Sequence, residues 1–411
     1  MRARSSATPT PLSSPRNWRR SDPRWLRIVS ILVVGLSTRA IAESAVRGGH
    51  RVVTVDFFGD RDQRALVENY ALLRDFALPF SVEGLLLVSR HLDFGAVVYI
   101  SNLENHPEVV EALARGRVLL GNAPAVLRRV RDWRTLRAFC REESLLCPTT
   151  LLSGEEPEAD PTVRWLRKPV RSGGGHGIRP WTGKPLDEAH ILQAYVEGRP
   201  ASAAFVADGQ RCVVIGLTEQ LIGRRELGAR GFTWCGNILP LALPPDEGAA
   251  LLKDVERMAA RLTRRFDLRG VNGMDLVVAK GPKGRLCPFL VEINPRYTAS
   301  MELVEWAYGL NVFSLHLEAM AGRLPDFSLA QHLLGPYFGK GIVYARQTVI
   351  VPETEGWVER GRRDVPFPGE RIEAGHPVCT VLAEGETRER CWNHLLAGVE
   401  AVRREIESHK L

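Results

Sequence analysis

No apolar run in the sequence approaches the roughly 18 residues that a membrane-spanning helix needs, so a membrane partner is not expected. The seven cysteines (140, 147, 212, 235, 287, 379 and 391) are odd in number and scattered. No pair of them is spaced like a zinc ligand set or a C-x-x-C redox site, which leaves disulfide frameworks, structural zinc and thiol redox chemistry without a basis. Free thiols in a reducing cytoplasm are the expectation. There is no Ser-His or Cys-His signature for a covalent nucleophile. No lysine occurs between Lys340 and Lys410, so the stretch PFPGERIEAGHPVCTV has no amine with which to serve as a biotinyl or lipoyl carrier. The turn GLSTRAIA after the first apolar run lacks the G-x-G-x-x-G spacing that lets backbone approach a dinucleotide pyrophosphate, which makes an NAD-linked oxidoreductase a weak alternative.

What is present begins with an uneven charge distribution. The net charge is +7, but residues 1–27 carry seven arginines against Asp22, and the remainder is nearly neutral. Basicity therefore belongs to a Ser/Pro/Arg-rich tail expected to be disordered, and nucleic acid is not expected as the main partner. The tail and the run IVSILVVGL (28–36) imitate a secretion signal, with Ala40-Ile41-Ala42 resembling a cleavage site. Arg39 follows the run almost at once, and the segment continues into strand, turn, helix and a second strand ending at Asp56. Cleavage would delete the first strand of a β-α-β unit, so a cytoplasmic location is expected.

From 28 to about 124, strand-like runs (ILVVG, RVVTVDF, GLLLVS, AVVYIS, RVLLGN) alternate with helical stretches, predicting a parallel α/β unit. Residues 126–147 read as one helix closed by Pro148, followed by an acidic loop and a strand, VRWLRKPV. Beyond about 335, short apolar runs between glycines and prolines predict a small β module with a final amphipathic helix over 389–407.

Three segments carry chemistry. In RKPVRSGGGHGI (167–178), Lys168 at a strand end precedes Ser172, Gly173, Gly174, Gly175 and His176. A cation and a mobile backbone rich in N–H donors suit a polyphosphate, because amides close over oxygens only where side chains do not obstruct them. Taken alone, the same stretch is equally a flexible surface loop. In ILQAYVEGRP (191–200), an apolar strand leads into Glu197-Gly198. Its backbone could pair with adenine and its carboxylate could accept ribose hydroxyls, although a plain sheet strand ending in a turn reads the same way. The third, GVNGMDLVVAKGPKGRLCPFLVEINPRYTAS (270–300), predicts two strands joined by a turn. Asp275 sits on the first. Glu292 and Asn294 sit two apart on the second and so project from one face. Two carboxylates and an amide oxygen form a hard oxygen set suited to Mg²⁺ carried on nucleotide phosphates. Arg296, two further on, has the planar fork that holds phosphate or carboxylate.

In these segments, their order and their separation, the chain resembles the ATP-grasp superfamily, and most of all its predicted ATP-dependent carboligases, which carry a similar K-P-x-x-S-G-G-G-x-G-I loop and E-I-N-P-R strand. The resemblance covers residues 28 to about 330. It implies an α/β and α+β architecture: a parallel-sheet pre-ATP-grasp domain (28–124), an ATP-grasp domain (125–330, with a lid at about 160–192) and a small C-terminal β-rich module (331–411). It implies ATP and magnesium, or manganese, as cofactors. Lys168 would be the phosphate lysine. Gln193, Tyr195 and Val196 would form the adenine hinge, and Asp275, Glu292 and Asn294 the metal ligands. Arg296 would steady the transferred phosphoryl group. The implied reaction activates a carboxylate as an acyl phosphate, then joins it to an amine. Two positions depart from the family pattern. Where relatives have a further phosphate lysine the chain reads Asp132-Trp133, so Arg134 or Arg137 would have to substitute, or the contact is missing; and Glu197 is the lone acid near the hinge. The stretch RGFTWCGNILPL (230–241), with Phe232 and Trp234, could wall the acceptor pocket or be a packed connection. An ATP-binding regulator without turnover is the competing class. The C-terminal module could close over the site or form a homodimer contact.

Overall fold

The computed structural model describes residues 30–157, 160–281 and 284–407. The expected basic tail lies outside them. Strands Ile31–Val34, Val52–Asp56, Glu68–Ala71, Ala96–Tyr99 and Val118–Leu119 pair in parallel, in the spatial order third, second, first, fourth, fifth. The first, second and fourth strands are buried throughout, as near-continuous Val/Ile/Leu runs must be when helices cover both faces of a sheet. Ile31–Val34, within the run read as a possible signal segment, is thus the central strand. The chain order reverses between the first and fourth strands, and a crevice opens beyond their carboxyl ends.

One predicted strand is a helix. GLLLVS lies within Val82–Ser89, started by Ser81, whose side chain accepts from the Gly84 N–H. A short apolar run has no period long enough to separate the two states, and the N-cap decides it. The third strand is instead the short polar ENYA at the sheet edge, which has no strand-like hydrophobic pattern.

The middle of the chain builds two antiparallel sheets. A four-stranded sheet contains Thr150–Leu151, Trp165–Pro169, Arg179–Pro180 and His190–Ala194. An eight-stranded sheet runs in the order Leu286–Asn294, Arg269–Lys280, Arg199–Asp208, Cys212–Ile222, Trp234–Leu239, Tyr337–Tyr344, Pro377–Gly385, Arg362–Arg363. The helix Pro245–Phe266 opens on Pro245 with Asp246 and Glu247 in its first turn and closes with Arg264 and Arg265, matching its dipole at both ends. Leu251, Leu252, Val255, Met258, Ala259, Leu262 and Phe266 form its buried stripe against that sheet. The C-terminal β-rich segment is present, and its strands are added edge-on to the large sheet. The final helix, Arg388–Glu407, packs over them with Leu395, Val399 and Val402 fully buried.

The helix predicted over 126–147 is two helices, Pro124–Val130 and Trp133–Glu142. Asp132 breaks it: its carboxylate accepts from the Arg134 and Thr135 N–H groups and so caps a new helix start. Arg131 is left in the joint.

The parallel-sheet unit and the large sheet share one apolar cluster, in which Ile31, Val33 and Ile41 pack with Val206, Val271, Met301 and Phe313. At its edge Arg39, 2% exposed, ties three parts of the chain together. It donates to Glu302 at 3.1 Å, to Asp364 at 2.9 Å and to Glu43 at 3.1 Å. Removing one partner of a buried ion cluster leaves the others uncompensated. Arg39→Met should therefore lower the free energy of unfolding by about 3–5 kcal/mol, read from chemical denaturation.

Candidate functional site

A cleft of about 1520 Å³ opens between the two antiparallel sheets and extends to the crevice of the parallel sheet. Asp275 and Glu292 lie directly opposite one another on neighbouring strands, and Asn294 opposes Gly273. All three predicted oxygen donors line the cleft. Gln220 donates to Asp275 Oδ1 at 3.0 Å, and Arg296 donates to Asn294 Oδ1 at 3.2 Å. Burial and the adjacent Glu292 charge push the Asp275 carboxyl up to about 7, against the opposing pull of Asn294 and Arg296. Two repelling carboxylates and an amide oxygen fit a hard divalent cation that brings its remaining ligands on a phosphate. Among the described residues no group of three or more His, Cys, Asp or Glu forms a self-sufficient metal cage.

Across the cleft, Lys168 is 5% exposed on the strand Trp165–Pro169. Its Nζ donates to Gln193 Oε1 at 2.9 Å and lies 5.5 Å from the centre of the Trp133 ring. Gln193 is fixed in turn by donating to Thr150 at 3.2 Å. Burial lowers the Lys168 pKa, and the charges of Glu292 and Asp275 resist that shift, so the amine and the carboxylates share one field.

The Gly-rich segment is docked against the opposite wall. The Trp234 N–H donates to Gly174 O at 2.9 Å, and Gly175 adopts φ +76°, where a Cβ would meet Phe232 O at 1.8 Å. Only glycine permits that approach. Phe232, Trp234 and Asn237 line the cleft, which settles their segment as wall rather than mere connection. Trp234 donates its indole N–H to Asn237 at 3.0 Å.

Ser172, Gly173, Gly174, Gly175, His176, Gln193, Tyr195, Val196 and Arg296 also line the cleft. Glu197 does not: its side chain is 91% exposed, 3.9 Å from Arg164. Neither Arg134 nor Arg137 lines the cleft. Arg134 is exposed, and Arg137 is engaged with Glu155 at 2.8 Å and Thr150 O at 3.0 Å. Arg131, in the joint before them, does line the cleft, 4.0 Å from Glu292 and donating to Ile293 O at 3.0 Å and Asn105 at 2.8 Å. The capping signature of Asp132 was the sequence signal for it. Glu104 was also missed. It is 1% exposed and pairs with Arg296 at 2.7 Å. Burial pushes the Glu104 carboxyl up, but Arg296 and Arg131 prevail and hold it below the usual range. From the C-terminal segment, Thr380 and Arg388 reach the cleft, Arg388 through a bidentate pair with Glu219 at 2.6 and 3.0 Å.

With this geometry in place, comparison with known proteins gives a consistent result. Residues 131–300 match the ATP-grasp domain. An uncharacterized protein of Methanocaldococcus jannaschii is 21% identical over 377 residues, 86% of this chain and 88% of its own length. An L-amino acid ligase from Bacillus licheniformis superposes with TM-score 0.65 at 16% identity, covering 92% of this chain and 97% of that one. A Rhizobium etli pyruvate carboxylase superposes with TM-score 0.63 at 14% identity over 87% of this chain, which spans 35% of that protein's length. The chain therefore carries an ATP-grasp domain in an ATP-grasp fold, preceded by a parallel-sheet domain.

Two outcomes follow for the site. Gly175→Ala places a side chain at positive φ against a carbonyl, at a cost of about 1–3 kcal/mol. Affinity for ATP should fall roughly 5- to 100-fold by calorimetry, and the unfolding midpoint should fall by a few degrees at most. Asp275 gives a pH signature. Its folded pKa is raised from 3.8 to about 7, so the unliganded protein holds a proton that the unfolded chain releases near pH 4. This group's contribution to stability is full below that point and is lost as pH rises toward 7. Binding of Mg·ATP should release about one proton at pH 6 and almost none at pH 8.5, measured by titration in buffers of different ionisation enthalpy.

Proposed function

We propose that this protein is an ATP-dependent ligase that activates a carboxylate as an acyl phosphate and joins it to an amine. The observation that carries the proposal is the opposition of two acids with raised charge repulsion, Asp275 and Glu292, to the buried amine of Lys168 within one cleft. That arrangement suits a triphosphate whose anionic oxygens need cations on every side. Asp275, Glu292 and Asn294 would hold Mg²⁺ or Mn²⁺, which when bound neutralises phosphate charge and polarises the transferring group.

The chain's own residues would do the rest. Lys168, kept in place by Gln193, donates to a phosphate oxygen. Arg131 supplies the second cation, in place of a lysine at Trp133. The strand ending at Ala194 and the following Tyr195 and Val196 form the hinge for adenine. The substrate carboxylate attacks the γ-phosphorus, the bond to the β-phosphate oxygen breaks, and ADP leaves. An amine then attacks the acyl carbon, phosphate departs with the C–O bond electrons, and the nitrogen gives up its proton. Arg296 lies beside the metal donors, where the phosphoryl group would pass, steadied by Glu104 from behind. Segment 172–176, docked on Phe232 and Trp234, would exclude water from the acyl phosphate. No side chain need become covalently modified. The amino acid ligase among the structural neighbours is consistent with an amine acceptor.

The test is ADP release with paired panels of carboxylates and amines. Turnover should require both components, and Glu292→Ala should reduce it by about 10²-fold or more. Undiminished turnover in that variant overturns the metal assignment. ATP binding without turnover in any pairing favours a regulatory binder instead.

A further inference from the structure

The far end of the cleft, beyond Arg296, is walled by the carboxyl ends of the parallel strands, and its charges are unequally satisfied. Arg39, Lys340 and Arg388 are each already paired with acids. Arg39 lies within 4.0 Å of Glu43, Asp62, Glu302 and Asp364. Lys340 pairs with Glu302 at 2.5 Å, and Arg388 with Glu219 at 2.6 Å. Burial alone would push the Glu302 carboxyl up, but Arg39 and Lys340 outweigh it and hold it far below the usual range. None of these cations is left to receive a substrate carboxylate.

Asp60 is the contrary case. It follows the second strand, lines the cleft and is 7% exposed, yet its Oδ2 has no hydrogen-bond partner among the described residues. Arg39 makes no ion pair with it within 4.0 Å. Burial and the charges of Asp364, Asp56 and Asp62 raise its pKa well above the carboxylate range, and Arg39 offsets this only in part. Phe57, Phe58 and Phe80 line the cleft beside it, with ring centres 5.0 and 5.9 Å apart in edge-on pairs. A carboxyl with one oxygen left without a hydrogen bond, beside aromatic rings, is a recognition surface for an organic cation, because ring faces and carboxylate both attract positive charge. It is a poor surface for an anion.

We infer that Asp60, with Phe57, Phe58 and Phe80, binds a second cationic group of the amine substrate, so that the acceptor is an aliphatic diammonium compound and not a simple monoamine. This rests on the ligase reading for the identity of the bound molecule as acceptor. The reacting nitrogen must reach the acyl phosphate near Arg296, whereas Asp60 lines the cleft from the turn after the second parallel strand, so the two nitrogens would belong to opposite ends of one molecule. The acid cluster around Asp60 contributes a field that a free ammonium would relieve. Its other members are engaged: Asp56 by Thr38 at 2.7 Å and the Gly59 N–H at 3.1 Å, and Asp62 by the Asp364 and Val365 N–H groups, both at 3.0 Å.

The experiment is calorimetric titration of the full chain, loaded with magnesium and a non-hydrolysable ATP analogue, with 1,4-diaminobutane, n-butylamine and succinate. The diamine should bind at least about tenfold more tightly than butylamine, and succinate should not compete. Asp60→Asn should lose that preference while its affinity for the ATP analogue stays within about twofold. Its unfolding midpoint should hold or rise, because an unpaired buried acid has been neutralised; a merely structural aspartate would lower the midpoint on substitution. Equal binding of diamine and butylamine, absence of diamine binding, or a preference retained in Asp60→Asn each overturn the inference. ADP release measured on the same preparation keeps the two readings apart. Turnover with amines in the absence of any diamine preference sinks the subsite alone; an Asp60-dependent preference without turnover for any pair sinks the ligase and leaves the cation site standing.

Discussion

Two like charges on adjacent strands are the constraint around which the rest of the cleft is arranged. The register that pairs Asp275 with Glu292 sets two carboxylates side by side away from bulk water, where mutual repulsion is strong. Such a pair is tolerable with a shared proton or with cations near. The surroundings provide the second remedy in part: Arg131, Lys168 and Arg296 all border the pair, and each is itself anchored by a neutral or acidic partner. The carboxylate pair suits a divalent cation, and the three basic groups suit the anionic triphosphate that such a cation would carry.

The anchors of those cations come from different domains. Glu104 and Asn105, on a short turn after the fourth parallel strand, hold Arg296 and Arg131. Gln193 of the four-stranded sheet holds Lys168. Arg39, Glu302, Lys340 and Asp364 join the parallel-sheet unit, the helix Met301–Tyr308 and the C-terminal segment in one ion cluster. A shared apolar core between the parallel unit and the large sheet keeps these contacts in register. The glycine segment meets the opposite wall through backbone, the Trp234 N–H donating to Gly174 O.

How much of this the sequence disclosed depended on whether the information was local. Lys168, Gln193, Asp275, Glu292 and Asn294 lie within short segments where strand alternation and glycine spacing are readable, and all five reach the cleft. The parallel-sheet unit was legible from alternating apolar runs, apart from GLLLVS, whose helical state depends on the Ser81 cap, and ENYA, a polar edge strand with no period to read. Arg131 was hidden by treating 126–147 as one helix, although Asp132 followed by Arg134 and Thr135 is a cap that could have divided it. Glu104 and Asp60 were not legible at all. One is defined by a partner 192 positions away, and the other by a carboxyl oxygen with no hydrogen-bond partner among the described residues; sequence spacing encodes neither. The same holds for the C-terminal strands, whose pairing with Trp234–Leu239 is long-range.

The claim that positions 275, 292 and 294 form the metal-triphosphate site is tested most directly by anomalous diffraction from crystals grown with manganese and a non-hydrolysable ATP analogue. The account predicts a manganese peak bounded by the Asp275 and Glu292 carboxylates and the Asn294 amide oxygen, with a phosphate oxygen in contact with Lys168. A manganese–nucleotide complex bound elsewhere, with those three side chains unliganded, would contradict it.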